Sequence, residues 1–199
     1  MAESIDSAAL LGDRVADAIA VFQRIAADPE LAAAFPMAVD SVVEAITAGG
    51  KILFCGNGGS SADAQHLAAE LVGKFTRDRA PWPALSLSDN VAALTAISND
   101  YSYTDAYERA VRAFARPGDV LICLSTSGRS ANVVAALLAA NELGVRTIAL
   151  TGPGQSPMAD AANIALRIDG PDTARIQEGQ KFVGHVLVET AELRLTADR

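Results

Sequence analysis

The chain has two histidines, and each lies in a helical stretch that also carries a second polar side chain of interest. In CGNGGSSADAQHLAAEL, residues 55–71, His66 precedes Glu70 by four positions, one helical turn, so both can face one point. In RIQEGQKFVGH, residues 175–185, Gln177 precedes His185 by eight. A carboxylate and an imidazole can trade protons near neutral pH, which suits Glu70 and His185 to general acid–base work. Taken singly, a helical glutamate is usually a solvated surface residue. A histidine among apolar neighbours, as in VGHVLVE, is usually a core residue.

Two loops carry the remaining chemistry. GNGGSS, residues 56–61, fails the dinucleotide pattern because Ser61 stands at the third glycine, and it lacks the lysine of a P-loop. No nucleotide cofactor is expected. LSTSGRSANV gathers Ser125, Thr126, Ser127 and Ser130 around Gly128 at a strand-to-helix junction. Ser130 stands where it can cap a helix starting at Ala131. The free N–H groups and dipole of that helix start form an anion site, to which the hydroxyls add neutral donors. Such a loop suits the single phosphate of a sugar better than a triphosphate.

The elements that must position these residues follow from hydrophobic periodicity. Helical spacing covers 5–27 and 31–48, separated at Asp28-Pro29 and closed by Gly49-Gly50. Short apolar runs at 51–55, 84–87, 119–124, 146–150 and 163–168 read as buried strands. Helices are predicted at 60–75, 90–98, 102–114, 130–143, 156–162 and 174–196. The alternation predicts one three-layer α/β/α domain over 1–199: an N-terminal helical hairpin (1–50) and an α/β core (51–199) with a parallel five-stranded sheet. Ligands in such sheets bind beyond the carboxyl ends of the strands, where both loops lie.

Bulk properties narrow the partners. A net charge of −8 argues against a nucleic-acid surface. The longest apolar run, VVAALLAA, is too short to span a bilayer, and MAESIDSAALLGDRV has no secretion leader, which predicts a soluble cytoplasmic protein. Cys55 and Cys123 lie in apolar runs and read as small core residues.

Together, CGNGGSSADAQHLAAEL, AISND (96–100), LSTSGRSANV and RIQEGQKFVGH resemble the sugar isomerase (SIS) domain family, and within it the bacterial phosphoheptose isomerases. The resemblance spans essentially the whole chain. It implies a flavodoxin-like fold, a homotetramer with active sites near subunit boundaries, and conversion of sedoheptulose 7-phosphate to D-glycero-D-manno-heptose 7-phosphate. It further implies that Asn57, Gly58, Gly59, Glu70, Asn99, Asp100 and Gln177 contact substrate, that Ser125, Thr126, Ser127 and Ser130 hold the phosphate, and that Glu70 and His185 transfer protons. One zinc per subunit on His66, Glu70, Gln177 and His185 is also implied. The alternative is a non-catalytic SIS protein that binds a phosphosugar as a regulator or assembly factor. Such relatives can lose the acid–base pair, which this chain keeps.

There are departures. Ala174 stands where some members have aspartate, with Asp172 two residues earlier; Lys74 replaces a frequent arginine; Arg129 occupies a common asparagine position. Gln177 and His185, if on one helix, are separated by about 12 Å of rise, too far for one ion. Either Gln177 precedes the helix and bends back, or the two ligands come from different subunits.

Overall fold

A computed structural model describes residues 5–197. The opening hairpin is α1 (Ser7–Ala27) and α2 (Pro29–Thr47). Asp28 makes the break: it ends α1 and caps α2, its Oδ1 accepting the N–H of Glu30 at 2.8 Å and of Leu31 at 3.1 Å. Pro29 enters at the first helical turn, where its missing N–H costs nothing. Beyond α2, Gly49 takes φ +80°, the left-handed conformation that closes many helices.

Then strands and helices alternate: β1 (Ile52–Gly56), α3 (Gly59–Val72), β2 (Ala84–Ser86), α4 (Val91–Asp100), α5 (Asp105–Phe114), β3 (Val120–Ser125), α6 (Ala131–Glu142), β4 (Arg146–Thr151), α7 (Pro157–Ala161), β5 (Ile164–Arg167) and α8 (Thr173–Leu195). The expected elements all form, and their ends shift by up to three residues. All strand pairs are parallel, in the order β2-β1-β3-β4-β5.

Side chains alternate across the sheet and feed two cores. Ile52, Phe54, Val120 and Ile122 pack toward α1, α2, α3 and α8. Leu53, Cys55, Leu121 and Cys123 pack toward α5, α6 and α7. Both cysteines are fully buried free thiols, as their apolar surroundings predict. The chain leaves β1 for one face and β3 for the other, so the strand order reverses between these neighbours. Their carboxyl ends open into the crevice where open α/β sheets bind ligands. The glycine loop follows β1 and the serine loop follows β3.

Candidate active site

The glycine loop turns sharply into α3. Gly58 has φ +55°, which a side chain would strain. At Gly59 a Cβ would run into the Gln177 carboxamide, so α8 reaches this loop only because the side chain is missing. Gln177 Nε2 donates to Asp63 Oδ2 at 2.8 Å, and Lys181 Nζ lies 3.8 Å from Asp63 Oδ1. Ala174 borders a cavity of about 290 Å³ that these three residues also line.

Farther along the same two helices, His66, Glu70 and His185 meet. His66 Nε2 lies 2.8 Å from His185 Nε2 and 3.3 Å from Glu70 Oε1. Burial lowers the pKa of His185 below its ordinary value; the charges of His66 and Lys181 lower it further, against Glu70 and Asp63. His185 is therefore a neutral imidazole near pH 7.

Beyond α3 a buried ion pair holds both helices in place. Glu192, on α8, accepts the backbone N–H groups of Phe75, Thr76 and Arg77 and pairs with Arg79 at 3.0 Å. Arg79 in turn donates to the carbonyls of Glu70 and Leu71, both at 2.9 Å, and lies over the Trp82 ring. The last turn of α3, which carries Glu70, is thus tied to the helix that carries His185.

The serine loop gathers its hydroxyls. Ser125 Oγ lies 3.1 Å from Ser130 Oγ and 3.4 Å from Ser127 Oγ, and Ser127 Oγ accepts the Arg129 N–H at 3.2 Å. Ser130 holds the cap position of α6 as expected, but its side chain makes no capping bond, so its hydroxyl stays with the cluster. Gly128, at φ +62°, leaves no room for a Cβ beside Thr151 and Ser156.

Not every expected residue joins. Asn99 and Asp100 are exposed at the end of α4 and bond each other at 2.9 Å. Asp172 is committed as the cap of α8, accepting the Arg175 N–H at 2.9 Å. Gln177 lies inside α8, which runs unbroken from Thr173, so the bent-back segment is overturned. Within one chain Gln177 turns to Asp63, away from the two histidines. Among the described residues no group of three or more His, Cys, Asp and Glu side chains forms a ready-made metal cage.

Sequence reading missed Asp63, Tyr103, Asn132 and the Arg79–Glu192 pair. Asn132 was the most detectable, as a polar residue opening the apolar helix ANVVAALLAA. Asp63 lies one turn before His66, on the same helical face.

The fold and the two loops define a class. The SIS domain model matches residues 15–152, and the chain belongs to that family. Within it the chain is a member of the phosphoheptose isomerase family, and an enzyme. It is 46% identical over 181 residues to the phosphoheptose isomerase of Rhodospirillum rubrum, covering 88% of this chain and 96% of that one. The solved phosphoheptose isomerase of Neisseria gonorrhoeae superposes with TM-score 0.85 at 37% identity, covering 92% of this chain and 96% of that one. That of Francisella tularensis gives TM-score 0.88 at 31% identity, covering 94% and 98%.

Proposed function

We propose that the protein interconverts sedoheptulose 7-phosphate and D-glycero-D-manno-heptose 7-phosphate through an enediol. The observation that carries this reading is the Glu70–His66–His185 cluster on α3 and α8. These helices meet at Gly59 and Gln177 beside the glycine loop, and Gln180 of α8 donates to the Ser125 carbonyl at the serine loop. Ser125, Thr126, Ser127 and Ser130 hold the phosphate at the start of α6, which fixes the sugar and orients its reacting carbons. Glu70 takes the proton from carbon. His185, neutral by burial, moves a proton between the two sugar oxygens. Asn57, Gly58, Gly59 and Gln177 line the sugar, whereas Asn99 and Asp100 stand apart at the exposed end of α4.

His66, Glu70 and His185 fit zinc by donor type, since two imidazoles and a carboxylate are a known zinc set. A zinc ion held there would polarise the sugar oxygens. Gln177 completes the set only from a neighbouring subunit, because the rise of α8 separates it from His185. A homotetramer agrees with the apolar stripe that α1 leaves open: Leu11, Val15 and Ile19 are 66%, 50% and 52% exposed.

Incubation with sedoheptulose 7-phosphate, followed by NMR of the products, tests the reading. An aldoheptose 7-phosphate is expected. Phosphosugar binding without conversion would instead favour a non-catalytic SIS protein.

A further inference from the structure

The Asn57 side chain is held by a polar network that crosses the two halves of the crevice. Asn57 Nδ2 donates to Asn132 Oδ1 at 2.8 Å, and Asn132 Nδ2 donates to Asn57 Oδ1 at 2.9 Å. The Tyr103 hydroxyl donates to the same Asn57 oxygen at 2.7 Å. The Val133 backbone N–H donates to Asn132 Oδ1 at 3.0 Å.

Amide oxygen and nitrogen are told apart by their partners, and the Val133 N–H, which also donates to the Ser130 carbonyl at 3.0 Å, is the partner that orients Asn132. A backbone N–H can only donate, so the Asn132 atom facing it is the oxygen. The Asn57 atom facing that oxygen is then the nitrogen, and the one facing Tyr103 is the oxygen. A carboxamide offers two acceptor lone pairs and two N–H donors. Both Asn57 lone pairs are taken, by Tyr103 and Asn132, and one N–H goes to Asn132. A single N–H is left, on a half-buried side chain between Gly56 and Gly58.

We propose that Tyr103 and Asn132 are positioning residues that turn this remaining Asn57 N–H toward the bound sugar, so that Asn57 meets a substrate oxygen only as a donor. The inference rests on the isomerase reading above. It gives Tyr103 a role in specificity: its hydroxyl keeps the amide from rotating to present an acceptor.

Tyr103→Phe removes only the hydroxyl. KM for sedoheptulose 7-phosphate should rise about three- to tenfold with kcat little changed, as for the loss of one hydrogen bond in binding. The Kd for inorganic phosphate, held by the serine loop, should not move. Asn132→Asp supplies a readout that a structural role would not give. Ionised, its second oxygen repels Asn57 Oδ1; protonated, it donates where the amide did. In a Glu70→Gln background, where turnover is too slow to deplete substrate during the measurement, affinity for sedoheptulose 7-phosphate should recover as pH falls through the aspartate titration, relative to Glu70→Gln alone. A pH-independent loss, or an unchanged KM in Tyr103→Phe, overturns the proposal. If the wild-type enzyme does not isomerise sedoheptulose 7-phosphate, the functional reading fails instead. The positioning role is then decided by nitrogen-15 spectra of the ligand-free protein, where Tyr103→Phe should shift the Asn57 side-chain amide resonance. An unmoved resonance overturns it.

Discussion

His66 Nε2 and His185 Nε2 lie 2.8 Å apart, though 119 positions separate the two residues in the chain. At that distance one ring donates and the other accepts, so the pair carries one proton between its facing nitrogens. With Glu70 3.3 Å from His66, the three groups form a row in which His66 stands beside both members of the acid–base pair.

Glu70→Gln keeps the size and hydrogen bonding of the side chain and removes its basicity. The variant should fold, bind sedoheptulose 7-phosphate with near-normal affinity and lose about 10²–10⁴ in kcat. Steady-state kinetics beside calorimetry measure both. A near-normal kcat would move the base to another carboxylate, Asp63 first.

Ser127→Ala removes the most exposed hydroxyl of the serine cluster. Losing a hydrogen bond to a charged phosphate should weaken phosphosugar binding by about 1.5–3 kcal/mol. Unchanged affinity by calorimetry would take Ser127 out of the site.

Glu192→Ala should cost about 3–5 kcal/mol of stability, because it strands Arg79 as a buried, unpaired charge. The pair is almost completely enclosed, at 2% and 0% side-chain exposure. Burial alone would raise the Glu192 carboxyl, but the N–H groups of Thr76, Arg77 and Phe75 outweigh it and hold its pKa at about 2, below the ordinary 4.5. The unfolded chain binds the proton first, so this stabilisation is complete above pH 4.5 and is lost as pH falls toward 2. Urea titrations across that range should show a steeper acid loss in the wild type than in Glu192→Ala. Parallel curves would contradict it.

Gln177→Ala and His185→Ala subunits, each inactive alone, should regain activity when mixed if a site draws these residues from two chains. Subunit exchange is followed by mass spectrometry alongside the assay. Hybrids that form and stay inactive would leave Gln177 with only its own Asp63 and glycine loop.

What the sequence determined by itself was local. Asp28-Pro29 and Gly49 mark helix ends because proline and left-handed glycine constrain only their neighbours. Continuous apolar runs such as KILFC and DVLICL mark strands covered on both faces. The loop residues Gly58, Ser127 and Ser130 were visible for the same reason, since a strand-to-helix turn is written in a few consecutive residues. Their partners were not. Asn57 and Asn132 meet across 75 residues because β1 and β3 are neighbours, and strand order is a property of the whole sheet. Side-chain direction was equally hidden: Ser130 stands at a cap position, yet its hydroxyl turns to Ser125. Gln177 and His185 were separable on paper by helix rise, but only the packing of α8 along α3 decided that one faces Asp63 and the other His66. Spacing fixes which residues share a helix face. What that face touches depends on the tertiary contacts that bury it.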